Sequence, residues 1–174
     1  MGLIDVDFSQ SEIDQYLWAL ADTPSRIASA SRIIPPAGLF LKPDEEGWSA
    51  NDTLAHLRSC ADFWGKSIRE MISQDHPTLR YVSPRTWIRK KDYPDQEFEK
   101  NLGAFRVQRT ELLAALTVLA LGDWSRGATF TGTTRGREQT VMSYVIRMSQ
   151  HEAEHCIQIE ALVERLLDQM DGAP

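Results

Sequence analysis

The sequence predicts an all-α fold: a four-helix bundle in one domain over residues 1–174, with a long loop between the second and third helices. Three observations predict it. Four segments carry apolar residues at spacings of three and four, the repeat of a helix that buries one face. Ser9, Ser49 and Thr140 stand as capping residues where three of these segments begin. No run alternates apolar and polar residues long enough to make a convincing strand. Four amphipathic helices bury one stripe each most simply by packing around a shared axis.

The first helix begins near Ser9 or Ser11, and Ser9 with Glu12 three residues on has capping-box spacing. Its stripe is Ile13, Leu17, Leu20, Ile27 and Ile33. Pro24 interrupts this stripe and, with Thr23 as a new cap, predicts a kink or a short break. Ile34 to Gly47 is a connection, because Pro35, Pro36, Gly38 and Pro43 forbid regular helix. Ser49 and Asp52 start the second helix, whose face is Ala50, Leu54, Leu57, Ala61, Trp64, Ile68 and Met71, to about Ser73.

Gln74 to Pro94 is the long loop, and it carries Arg85, Trp87, Arg89, Lys90 and Lys91. The third helix starts at Asp95 or Gln96, presents Phe98, Leu102, Phe105, Leu112, Leu113, Leu116 and Leu119, and ends at Gly122. Asp123 to Gln139, rich in Gly and Thr, fits a small hairpin or an irregular loop. Thr140 caps the last helix, which runs to about Met170 on Val141, Val145, Met148, His155, Ile159, Leu162 and Leu166.

Composition removes several classes of function. A chain of 174 residues with 42% hydrophobic and 25% charged residues suits one globular domain with its own core. Net charge is −6 with no long basic run, which argues against nucleic acid as the main partner. The longest apolar stretch, Leu112 to Leu121 broken by Thr117, is too short to span a bilayer. The acidic N-terminus shows no secretory signal, and a bare Met1-Gly2 start is weak evidence for acylation. Two cysteines make no disulfide framework, so a cytoplasmic, reducing setting is expected.

The chemistry concentrates in the histidines. His151 and His155 are four residues apart, which on a helix places them about 40° apart and roughly 6 Å along the axis, so both can face one ion. His155 falls within the apolar series Met148, Ile159, Leu162, and His151 lies in line with Tyr144 and Met148. Both are therefore expected to look inward. His56, just after the capped start of the second helix, completes a trio if the second and fourth helices are neighbours. Neutral imidazole suits zinc, nickel, copper or ferrous iron. Three protein ligands leave positions open for water or substrate. The plain alternative is a pair of ordinary polar residues on a helix. His76, beside Pro77, is read as a surface residue.

Neighbouring residues carry two readings each. Cys60, one turn after His56, is a small buried hydrophobe in the favoured reading, and a fourth ligand or redox-sensitive thiol in the other. Cys156 points about 100° from His155 and reads as packing. Glu152 and Glu154 are a solvated face, or one of them orients an imidazole or acts as a base; Glu152 lies nearer the inner stripe. Tyr144 reads as core, with donation to a substrate as the alternative. The loop cations are a solvated loop or a grip on an anionic substrate. Trp48, Trp87 and Trp124 fall at element ends, where pocket rims and contacts form.

The segments Trp48-Ser49-Ala50-Asn51-Asp52-Thr53-Leu54-Ala55-His56-Leu57 and Ser149-Gln150-His151-Glu152-Ala153-Glu154-His155-Cys156-Ile157-Gln158-Ile159 resemble the DinB-like superfamily. Tyr93-Pro94, Arg109 and Asp123-Trp124-Ser125 fall where such proteins have similar segments. Asp52 stands where many members have Glu, a change that touches capping more than metal binding. The resemblance spans nearly the whole chain, and the two histidine motifs carry most of its specificity. It implies a four-helix bundle, often a homodimer, with a divalent metal (zinc, nickel or iron) held by His56, His151 and His155.

It also implies a metal-dependent transferase acting on a small molecule, with a low-molecular-weight thiol as cosubstrate and Glu152 assisting at the site. The rival readings are a metal-dependent hydrolase and a non-catalytic, stress-associated dimer with a structural metal. A DNA-associated role runs against the acidic balance.

Overall fold

The computed structural model describes residues 8–45, 47–83, 86, 88, 92–132 and 137–171. Four long helices dominate: α1 (Gln10–Ser31), α2 (Ala50–Ser73), α3 (Phe98–Leu116) and α4 (Val141–Asp171). Their starts follow the capping logic. The Glu12 amide donates to Ser9 Oγ at 3.3 Å while the Ser9 amide donates to the Glu12 carboxylate at 2.9 Å. Ser49 and Asp52 repeat that exchange at 3.0 Å in both directions. At α4 the Ser143 amide donates to Thr140 Oγ1 at 3.1 Å, and Ser143 Oγ accepts from the Thr140 amide at 2.9 Å.

The break expected at Pro24 is absent. The helix runs through it, with Thr23, Pro24, Ile27 and Ala28 all buried. Helix α1 packs chiefly against α4. That burial holds the backbone helical despite the missing N–H, because tertiary packing supplies most helix stability. Ile33, expected on the inner stripe, lies past the helix end and is 59% exposed, while Ile34 is buried. The third helix is shorter than expected. It stops at Leu116, followed by a 3₁₀ turn at Leu121–Ser125. β-Branched Thr117 and Val118 give it nothing to bury, Val118 being 80% exposed.

Among the described residues three short strands accompany the helices, where the sequence offered at most a small hairpin. β1 (Thr78–Arg80) lies in the long loop; β2 (Gly127–Thr131) and β3 (Arg137–Thr140) form the hairpin foreseen in the Gly- and Thr-rich segment. The order is β1-β2-β3, with β1 parallel and β3 antiparallel to β2. Ala128 and Phe130 point from β2 into the core. Gly127 is required because a Cβ there would stand 2.8 Å from the Gln139 carbonyl oxygen.

The core falls into two apolar clusters along the bundle. One gathers Ile13, Leu20, Trp64, Ile68, Leu112 and Met148 with the sheet residues. The other gathers Ile27, Leu54, Leu57, Phe105, Ile159 and Leu162. Between them lies a polar waist to which all four helices contribute. Thr23 comes from α1, His56 from α2, Arg109 from α3, and His151 and Glu152 from α4. Helix α2 packs against both α3 and α4, so His56 comes from a helix directly beside the one bearing His151 and His155.

Candidate metal centre

The second and fourth long helices are neighbours, as the histidine trio requires. His56 Nε2 lies 3.1 Å from His151 Nε2, and His155 Nε2 lies 3.2 Å from the same atom. His155 meets both other rings edge to face and the His56 and His151 rings are tilted by 56°, with centroids 4.4–5.1 Å apart. All three residues are half-buried.

Proton bookkeeping makes this convergence informative. His155 Nδ1 lies 2.8 Å from Gln158 Oε1, and in the tautomer that donates to this oxygen Nε2 is left to present a lone pair. That lone pair faces His151 Nε2, which also faces His56 Nε2 and holds at most one proton. Among the described residues, none is hydrogen-bonded to the buried Nδ1 of His151. Burial first, then the neighbouring His155 and His56, holds the His151 imidazole down to about 3, so it is neutral near pH 7. Imidazoles that turn nitrogens toward one point fit a shared cation. Two nitrogens on a tetrahedral zinc stand about 3.3 Å apart. The two edges at His151, 3.1 and 3.2 Å, match that spacing, while among the described residues the donors that all lie within 4.8 Å of one another are His56, Cys60 and His151, with His155 outside that group.

Aromatic walls fix the rings. Trp48, just before the α2 cap, meets His56 edge-on at 5.1 Å and stacks on His155 at 6.3 Å with 13° between planes. Trp64 meets His151 edge-on at 5.0 Å. Cys60 comes closer than its favoured reading as mere packing implied: its Sγ is 3.6 Å from His56 Nε2 and 4.0 Å from His151 Nε2. Burial pushes its thiol up to about 12, with Glu152 adding to the rise.

Glu152 is turned to another task. Its carboxylate accepts from Arg109 Nη2, both side chains are sealed from solvent, and the Thr23 hydroxyl lies beside it. Burial pushes the carboxyl up while Arg109 holds it back. Glu154 is exposed and shares a cavity of about 390 Å³ with Arg147, Gln150 and His151. Tyr144 is core: it is 2% exposed and stacks on Phe130 at 5.3 Å. Cys156 is buried in the second apolar cluster. Trp124 is buried, and His76 is exposed and pairs with Glu138 at 2.9 Å. Arg85, Trp87, Arg89, Lys90 and Lys91 lie outside the described residues. The sequence gives Gln158 no role and places Trp64 only on the apolar face of the second helix. The His155-x-x-Gln158 spacing was the available signal for the first.

Fold and site together define a helical bundle with a candidate metal centre at its waist. The chain belongs to the DinB superfamily, whose sequence profile matches residues 19–159. No curated protein sequence matches it. Among solved structures it is similar to YfiT from Bacillus subtilis, described as a probable metal-dependent hydrolase with an unusual four-helix bundle topology. The TM-score is 0.81 at 17% identity over 95% of this chain and 93% of that one. It is also similar to a mycothiol-dependent maleylpyruvate isomerase, with TM-score 0.65 and 14% identity over 84% of this chain and 60% of that one. A DinB-like protein of Bacillus subtilis, YjoA, aligns with TM-score 0.59 and 16% identity over 87% of this chain and 91% of that one. At these identities the likeness is one of fold. Among the described residues, no helix is long and apolar enough to cross a membrane.

Proposed function

We propose that this protein is a divalent-metal-dependent transferase that joins a low-molecular-weight thiol to a small electrophilic molecule. The observation that carries the reading is the convergence of Nε2 atoms from two helices on His151, with His155 held in the metal-binding tautomer by Gln158. His56, His151 and His155 are half-buried, so the site is reachable from solvent. That is the arrangement of a reactive rather than a sealed centre. The fold shared with a mycothiol-dependent isomerase supports a thiol as cosubstrate.

A zinc, nickel or ferrous ion held by these imidazoles supplies Lewis acidity that lowers the pKa of a thiol or water beside it. The chain's own residues do the rest. Trp48 and Trp64 hold the rings and exclude water from two sides. Glu154, in the cavity shared with His151, takes the thiol proton as the sulfur–carbon bond forms and the leaving group departs with its electron pair. Glu152, expected either to orient an imidazole or to act as a base, is in this proposal a positioning residue, since its carboxylate is engaged by Arg109. A homodimer is part of the same proposal, and light scattering checks it.

The experiment is a screen of metal-loaded protein with several small thiols and a chlorinated nitroaromatic electrophile. Thiol-dependent loss of chloride, abolished in His155→Ala, is the expected outcome. A loaded protein that is inert with every thiol yet cleaves activated esters favours the hydrolase reading, which the likeness to YfiT supports.

A further inference from the structure

We propose that Cys60 is a fourth protein ligand of the metal, so that the centre is a three-histidine, one-cysteine site. The inference deepens the metal-site reading above and rests on it. Among the described residues, the histidine, cysteine and carboxylate donors that all lie within 4.8 Å of one another are His56, Cys60 and His151. His155 lies outside that group and reaches it through its 3.2 Å contact with His151, closing on the same point as the imidazole rotates.

The helix makes this geometry. Cys60 is one turn beyond His56 on α2, so both side chains lean over the same patch facing α4. The triangle of His56 Nε2, His151 Nε2 and Cys60 Sγ has sides of 3.1, 3.6 and 4.0 Å. Donors on one tetrahedral zinc stand about 3.3 Å apart for two nitrogens and about 3.6 Å apart for a nitrogen and a sulfur, close to these sides. Cys60 is 1% exposed and belongs to the apolar cluster with Trp64 and Met148. It therefore approaches from inside the bundle, while the half-exposed histidines leave the outer side open. Cys156 provides the contrast: equally buried, it packs among Ile159, Leu162 and Val163.

A thiolate donor changes what the site prefers. It selects zinc and other borderline or soft ions over magnesium, calcium or manganese. As the metal–sulfur bond forms, the Sγ–H proton leaves to solvent, so loading releases one more proton than an all-imidazole site. An incoming thiol must then enter as a further donor or displace Cys60.

Cobalt(II) added to metal-free protein in thiol-free buffer tests the assignment without any assay of turnover. Wild type and Cys156→Ala should both show visible d–d bands together with a near-ultraviolet thiolate-to-cobalt charge-transfer band. In Cys60→Ala, and in the near-isosteric Cys60→Ser, the visible bands should remain and the charge-transfer band should vanish. Cobalt affinity should fall by at least about 10–100-fold, the scale set by loss of an outer-shell partner. Visible bands without charge transfer in wild type, or an undiminished charge-transfer band in Cys60→Ala, would overturn the cysteine and leave the three-histidine site standing. Absence of visible bands in wild type removes the site and this inference together.

Discussion

Arg109 on α3 donates to the carboxylate of Glu152 on α4, one residue from His151, and the two side chains are 3% and 1% exposed. The pair ties the third helix to the segment that carries two of the three histidines. Removing one partner of such a pair strands a buried charge. Arg109→Met should cost about 3–5 kcal/mol in urea unfolding. The double variant Arg109→Met/Glu152→Leu should recover much of that loss, since a buried ion pair is replaceable by well-packed apolar groups. Simple additivity of the two single losses would show that the pair is not coupled.

Gln158 is the next test, because its effect is on affinity rather than fold. Its side chain is exposed, so Gln158→Leu should leave the unfolding midpoint within about 0.5 kcal/mol. Losing the acceptor for His155 Nδ1–H frees the imidazole to adopt the wrong tautomer. Zinc affinity by competition with a chromophoric chelator should fall about 10–100-fold. Unchanged affinity would mean that the 2.8 Å contact does not orient the ligand.

The contrast between Gln158 and His155 shows what the sequence discloses and what it withholds. Helical spacing placed His151 and His155 on the inner face, and capping residues located the starts of α1, α2 and α4. Both are local properties, legible within one or two turns. The run of α1 through Pro24 was not legible, because burial against α4, a partner distant in the chain, decides it. β1 is three residues long, too short for alternation to register. Glu152 looked like part of the histidine site by adjacency along the chain. Its true partner, Arg109, lies 43 residues away on another helix, and no local pattern announces the pairing. Cys60 was visible as one turn from His56, yet only the packing of α2 on α4 brings its sulfur to His151.

Removing the metal should lower stability without melting the helices. The two apolar clusters span all four helices and do not depend on the waist between them. Helical circular dichroism should survive chelation. At free metal about 100 times Kd, the loaded protein should gain about 2.7 kcal/mol over the stripped form. Loss of most helical signal on chelation would support a structural metal and count against the transferase.

His151 gives the metal-free protein a pH dependence of predictable sign. Its folded-state pKa is held to about 3, against an unperturbed 6.5, chiefly by burial. Between those values the unfolded chain binds the proton and the folded one does not, so the free energy of unfolding rises with pH. This contribution is fully present above about pH 6.5 and is lost as pH falls toward 3. The ceiling is about 1.4 kcal/mol per pH unit, and partial exposure reduces it to about 1–2 kcal/mol between pH 6.5 and 4.5. His151→Gln removes the titrating ring. Its unfolding free energy should therefore fall less steeply than that of the wild type over this range, while carboxylate contributions stay common to both. Urea midpoints measured on stripped protein at half-unit intervals decide it, and parallel curves would mean that this imidazole meets more water than its packing against Trp64 implies.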